Sequence, residues 1–189
     1  MQSYEYYKNE LEKILSPKRF NHSVNVSLMA EKLAKNYGVD SEKAKLAGLL
    51  HDICKEKTYE ENIEILKKNG YFGSSDKINS VKILHGPAAS FFLKEKYGIT
   101  DNEILNAVKY HTTGRKNMTL FEKIIFTADH ISSERDWPDV KELQKLAFED
   151  IDKVVLKKLS TAIQKCIDRH QSICESTMQL YNELILEGV

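Results

Sequence analysis

The sequence predicts an all-α fold, and three observations carry that expectation. Apolar residues recur with helical spacing, helix-start and helix-stop signals punctuate the chain at short intervals, and alternating strand patterns are absent. The composition agrees, since 41% apolar residues with 8 Gly and only 3 Pro in 189 describe a helix-rich globule and argue against disorder.

The elements can be justified in order. Ser16-Pro17 reads as an N-cap with proline at the first helical position, and Val26, Ala30, Leu33 and Tyr37 form the buried stripe of the helix it starts. Gly38 stands where a helix C-terminal glycine is expected, as do Gly70 and Gly98. Ala47 and Gly48 make a small-residue face on the helix leading to His51, which allows close helix approach. Thr58-x-x-Glu61, Thr100-x-x-Glu103 and Thr119-x-x-Glu122 each fit a capping box. Between the first two, His85 opens a helix in Ile83-Leu84-His85-Gly86-Pro87. The last two boxes start helices with stripes Ile104, Ala107, Val108 and Phe121, Ile125, Ala128. From Ile151 to Leu186 the spacing remains helical, as one long helix or two. No repeat or Pro/Gly/Ser-rich linker divides the chain. Residues 1–189 are therefore read as one domain, with a motif core over about 17–140 and C-terminal helices over about 150–187 completing the bundle.

Lysine plus arginine equals aspartate plus glutamate at 28 each, so no bulk positive field exists to hold nucleic acid or a membrane surface. No apolar run approaches the ~20 residues that span a bilayer. The start Met1-Gln2-Ser3-Tyr4-Glu5 lacks the basic and apolar regions of a signal peptide. Cys54, Cys166 and Cys174 are odd in number without CxxC spacing, and read as free thiols in a reducing cytoplasm.

Helical spacing places the chemistry. His22 precedes Val26 by four residues and shares its face; His51 follows Ala47 by four and Gly48 by three. His111 follows Ala107 by four and Val108 by three, and Asp129 follows Ile125 by four. Asp52 is adjacent to His51. Each residue alone is more often a hydrogen-bonded core residue or a capping acceptor. An unpaired buried charge costs several kcal/mol, however, and so many inward ionisable groups need a common reason. A divalent cation held by His22, His51, Asp52 and Asp129 supplies it, with positions left open for water or substrate. Iron, manganese, zinc and cobalt all tolerate such a ligand set.

His85 and His111 are placed at helix ends facing a cleft. Arg19, Lys55, Arg115 and Arg135 recur beside the motifs, and on a neutral chain that recurrence points to a site for a multiply charged anion. Thr112 and Thr113 could donate hydroxyl bonds to phosphate oxygens. Cys54 is read as a small buried residue on the far side of its helix rather than a ligand. His130 is placed at the cleft and His170 at the surface or as core filler. Trp137 is read as pinning a loop, with base stacking as the lesser role.

With these residues in place the chain resembles the HD-domain superfamily of metal-dependent phosphohydrolases, whose signature H…HD…D is met by His22, His51-Asp52 and Asp129. The flanking words are Arg19-Phe20-x-His22-Ser23, His51-Asp52-Ile53-x-Lys55, His85-Gly86-Pro87, Tyr110-His111-Thr112-Thr113-Gly114-Arg115, and Ala128-Asp129 with Arg135-x-x-Pro138. In order and spacing they are similar to the YqeK family over about Arg19 to Val140. Cys54 stands where that family more usually has alanine, and His130 where it has tyrosine.

The resemblance implies symmetrical hydrolysis of diadenosine tetraphosphate to two ADP, with iron in the site. In that reading Asp52 or a neighbouring carboxylate orients the water. His85 and His111, with Arg19, Lys55 and Arg135, neutralise charge on the phosphate chain and the departing ADP. Alternatively His85 and His111 hold a second metal. The expected partner is a small molecule, a dinucleoside polyphosphate or ADP, and the C-terminal helices could pack against a second copy as a homodimer. Rival readings are a nucleoside monophosphate phosphatase on the same scaffold and a nucleotide sensor without turnover.

Overall fold

The computed structural model describes residues 2–71 and 81–189, and its regular structure is a succession of ten α-helices. They are α1 (Tyr4–Ile14), α2 (Pro17–Tyr37), α3 (Ser41–Leu50), α4 (Tyr59–Lys68), α5 (Val81–Tyr97), α6 (Asn102–Tyr110), α7 (Leu120–Ile131), α8 (Val140–Glu149), α9 (Ile151–Asp168) and α10 (Glu175–Leu186). No strand occurs among the described residues.

Local chemistry sets most helix starts. The Ser16 hydroxyl accepts from Arg19 N with Pro17 in the first turn, and the boxes Thr58/Glu61 and Thr119/Glu122 are both closed in both directions. One expected start moves by a residue. Asp101, not Thr100, caps α6, its carboxylate accepting from the backbone of Glu103 and Ile104. A carboxylate is the stronger partner for those donors and also complements the positive end of the helix. The stretch from Ile151 to Leu186 resolves into two helices, with His170 between them in the left-handed region at φ 52°. The expected start at His85 is also revised: α5 is described from Val81, so His85 lies a full turn inside the helix rather than opening it.

The core is formed by the predicted stripes. Val26, Ala30, Leu33, Ile104, Val108, Ile125 and Ala128 are all buried, and the Tyr37 hydroxyl donates to Ala147 O at 2.8 Å, tying α2 to α8. Two glycines set the helix approaches that shape the centre of the bundle. A Cβ at Gly48 would lie 2.9 Å from Ser27 Cα, so α3 meets α2 backbone to backbone, as the small-residue face predicted. A Cβ at Gly86 would lie 2.8 Å from Lys109 O, which brings α5 equally close to α6. A smaller apolar cluster (Met118, Phe126, Val155, Leu159, Leu180 and Leu184) seats α9 and α10 against α7. Among the described residues no helix is long and apolar enough to cross a membrane.

Candidate metal centre

The close helix contacts converge on one place. His22 projects from the second turn of α2, His51 caps the C-terminus of α3 with Asp52 beside it, His85 comes from α5, His111 caps α6, and Asp129 lies in the last turn of α7. His22 Nε2 is 3.2 Å from Asp129 Oδ1 and 3.7 Å from Asp52 Oδ2. His51 Nε2 is 3.4 Å from Asp52 Oδ2 and 3.8 Å from Asp129 Oδ1. The other edge of Asp52 faces the second histidine pair, with Oδ1 3.0 Å from His85 Nε2 and 3.4 Å from His111 Nε2.

Hydrogen bonds assign the imidazole tautomers, and the assignment shows what the cluster needs. His51 Nδ1 donates to Gly48 O and His111 Nδ1 donates to Val108 O, each at 2.7 Å, while His22 Nδ1 donates to the Glu134 carboxylate. In the neutral ring the Nε2 of each is then a bare lone pair, and all three lone pairs face carboxylate oxygens. His51 Nε2 and Asp52 Oδ1 are buried without a hydrogen-bond partner; the 3.0 Å approach of His85 to that oxygen is proximity without hydrogen-bond direction. Acceptors converging on acceptors, with His51 and Asp52 almost wholly buried and Asp129 at 18% exposure, are tolerable only around a positive charge. His22, His51 and Asp129, and equally His51, Asp52 and His111, offer ligand atoms within 4.8 Å of one another. The donor set therefore fits a divalent cation.

The titration of these groups follows. Burial opposes ionisation of Asp52, but the imidazoles of His51, His111 and His85 gathered around it hold its carboxyl well below the ordinary range. Burial likewise opposes ionisation of Asp129, which Lys158 and His22 overcome. Burial pushes His111 down to about 4. His22 is raised: burial acts against it, but Asp129 and Glu134 outweigh that.

Three of the four expected cations border this cluster. Arg19 Nη1 donates to Asp52 Oδ2 at 2.7 Å, Arg135 Nη2 donates to Asp129 Oδ1 at 2.9 Å, and Lys55 Nζ sits 3.2 Å from His85 Nε2 and 3.4 Å from its Nδ1. Arg115 does not: Glu122, buried by its own capping box, takes the guanidinium at 3.0 Å. The expectation that His85 and His111 face a cleft is also not met. They are 2% and 1% exposed, because the Gly86 contact folds α5 down onto α6. Trp137 stacks on His130 at 5.3 Å and carries Arg135 over its ring at 4.9 Å, so it pins the loop after α7 and braces that arginine. Cys54 is fully buried, and its thiol is pushed up to about 12 by burial, unsuited to ligation. His170 is exposed.

Two residues of the centre escaped sequence reasoning. Glu134 orients His22, itself held by the Ser132 hydroxyl at 2.8 Å, and sits in a loop where no periodicity marks it. Lys158 on α9 donates to Asp129 Oδ2 at 3.1 Å. A signal existed for it, since Lys158 falls four residues after Val154 and three after Val155 on an otherwise apolar stripe.

Thr112 and Thr113 line a neighbouring cavity of about 280 Å³, bounded also by Ile83, Ile163, Ile173 and Thr177. The Thr112 hydroxyl is buried without a partner, and the Thr177 hydroxyl donates to Thr113 O at 2.8 Å.

A model of the HD domain matches residues 19–134. The chain is 34% identical over 174 residues to the symmetrical bis(5'-nucleosyl)-tetraphosphatase of Halalkalibacterium halodurans, covering 92% of each chain. It is 36% identical over 171 residues to that of Staphylococcus aureus, covering 89% of this chain and 87% of the other. A solved structure from Clostridium acetobutylicum, of a "predicted HD superfamily hydrolase involved in NAD metabolism", superposes with a TM-score of 0.94 at 40% identity, over 99% of both chains.

Proposed function

The chain belongs to the HD-domain family, and from that premise we propose that it hydrolyses diadenosine tetraphosphate symmetrically, releasing two ADP. The observation that supports this most is the convergence of His22, His51, Asp52 and Asp129 as an acceptor-only set, beside cations and a nucleoside-sized cavity. These four residues would hold the divalent cation that the domain implies. Iron is the ion we propose, its mixed imidazole and carboxylate preference matching the set, although manganese, cobalt and zinc accept the same donors. When bound, the cation supplies Lewis acidity, polarising a phosphoryl oxygen and lowering the pKa of water.

The chain's own groups supply the rest. Asp52 is ionised, and its unpartnered Oδ1 is free to orient water and accept its proton. His85 differs from the other three histidines, since no backbone carbonyl or carboxylate fixes its tautomer. His85 Nε2 lies 3.0 Å from the lone pair of His111 Nε2, and Lys55 Nζ lies 3.2 Å from that same nitrogen and 3.4 Å from Nδ1, so His85 sits between an acceptor and a cation. We assign to His85 the delivery of a proton to the departing ADP, with the Lys55 ammonium beside it as the proton source and His111 positioning its ring. Arg19, Lys55 and Arg135 neutralise the phosphate chain.

At about 280 Å³ the cavity is near the lower end of the ~300–1,000 Å³ usual for small-molecule sites. It suits one nucleoside and not a whole dinucleotide. Thr112 and Thr113 lie between it and His111, where they can meet the first phosphate of the nucleotide held there. The same reading takes residues 1–189 as a single HD unit, because α9 contributes to both the centre and the cavity.

The test is product identification with the metal-loaded protein. ADP from diadenosine tetraphosphate is expected; inorganic phosphate from AMP or dAMP instead would indicate a monophosphatase, and tight ADP binding without hydrolysis a sensor. His51→Ala is expected to abolish both metal content and turnover, and a fully active variant would refute the assignment.

A further inference from the structure

The matched domain ends at residue 134, yet Lys158, far beyond it on α9, reaches into the centre. Its side chain is 13% exposed. An ammonium has three donors, and each has an acceptor here: Phe126 O at 2.7 Å, His111 O at 3.1 Å and Asp129 Oδ2 at 3.1 Å. The ammonium also lies 3.8 Å from the centre of the Phe126 ring. His111 O is a carbonyl at the C-terminus of α6, one of those a helix leaves without a partner of its own. One buried cation therefore joins the end of α6 to the last turn of α7, at the two points where those helices carry His111 and Asp129.

We infer that Lys158 is a positioning residue of the hydrolytic centre. By holding Asp129 Oδ2 it turns the carboxylate so that Oδ1 faces His22 Nε2 at 3.2 Å and His51 Nε2 at 3.8 Å. By holding His111 O it keeps that imidazole in register with Asp52. The inference rests on the reading of the cluster as a metal centre. It assigns to α9 a part in the reaction rather than in folding alone.

The experiment compares wild type, Lys158→Met, Lys158→Arg and Val155→Ala. Val155 is buried one turn earlier on α9, in the smaller apolar cluster and with no polar group to offer, so its variant controls for lost stability. Each protein is loaded with cobalt(II), its visible absorption recorded, and kcat and KM measured for ADP release from diadenosine tetraphosphate. Lys158→Met is expected to lower kcat about 10–100-fold, the usual cost of removing a group that orients a ligand, with KM within about twofold and an altered cobalt(II) spectrum. Lys158→Arg, which keeps charge and donors, should recover part of kcat. Val155→Ala should melt earlier with wild-type kcat and spectrum. A Lys158→Met protein matching wild type in both, or a Val155→Ala protein reproducing the loss, overturns the inference. Should Lys158→Met fail to fold, Lys158→Gln carries the same test, its amide serving the carbonyls but not all three acceptors. A wild-type protein that neither takes up cobalt(II) nor releases ADP would overturn the parent reading, a result distinct from a variant that matches an active wild type.

Discussion

Gly48→Ala probes the geometry on which the centre depends. The added Cβ would lie 2.9 Å from Ser27 Cα and 3.1 Å from both Ser27 N and Val26 O, whereas ordinary contact begins near 3.4 Å. All three atoms are backbone and cannot rotate away, so α2 and α3 must part by about half an ångström. Alanine gains ~1 kcal/mol of helix propensity over glycine, and overpacking costs ~1–3 kcal/mol, which leaves a net loss of about 1 kcal/mol. For a chain of this size that lowers Tm by about 2–4 °C. Activity should suffer more than stability. Gly48 O is the acceptor that fixes the His51 tautomer, and His22 rides on the opposite helix, so the two imidazoles separate. A 1 Å misplacement can cost ~10²-fold, and half of that corresponds to about tenfold in kcat. The assay pairs thermal melts with ADP release from diadenosine tetraphosphate. Gly38→Ala is the control: at φ 68° it strains the backbone by ~1–2 kcal/mol, with nothing within 4 Å of its Cβ and no helix displaced. Gly48→Ala with kcat within twofold of wild type, or Gly38→Ala equally impaired, would refute the reasoning.

Glu134→Gln keeps the size but not the charge of the His22 partner, and should weaken metal binding about 10–100-fold in chelator competition. Burial opposes ionisation of Glu134, but the His22 and Ser132 hydrogen bonds bring it down to about 2, below its ordinary 4.5. Its contribution to stability is therefore fully present above pH 4.5 and is lost as pH falls toward 2. In urea melts of the metal-free proteins, the gap between wild type and Glu134→Gln should be flat above that range and narrow below it; a gap unchanged at pH 3 contradicts the pairing. Cys54, with its thiol near 12, should resist alkylation at pH 8, while half-buried Cys166 and Cys174 react, so the native protein takes up two equivalents and the unfolded protein three. Because those two line the cavity, saturating ADP should slow them, and an unchanged rate would remove the cavity from the proposed site.

The parts legible in the sequence were those decided locally. Capping boxes at Thr58 and Thr119 close because donor and acceptor are three residues apart, and the stripes that aim His22, His51 and Asp129 inward need only the helical period. What escaped depends on competition or on contacts across the fold. Asp101 outcompetes Thr100 by one residue, and Glu122 diverts Arg115 from the phosphate site that its motif suggested. His85 is drawn inward because Gly86 lets α5 touch α6, a pairing that no spacing along the chain discloses. The cavity requires the break between α9 and α10, and a histidine in the left-handed region gives no warning of it. Lys158 was visible in principle as the one ionisable residue on an apolar row, but a lysine there is ordinarily taken to extend its stem to solvent.

The adjacency of His51 and Asp52 has its own physical reason. Neighbouring residues within a helix point about 100° apart and cannot share a target, so a His-Asp pair inside α3 would split its chemistry between two faces. The helix instead ends at Leu50, with His51 as its cap and Asp52 in the turn that follows. There the two side chains reach the same point from different directions. His51 joins His22 and Asp129 through Nε2, and Asp52 presents Oδ2 to that group while turning Oδ1 to His85 and His111. One carboxylate thus connects the residues that would hold the cation with the pair proposed to handle the proton. The helix terminus places the two histidine groups, proposed for binding and for proton transfer, within a single carboxylate's span.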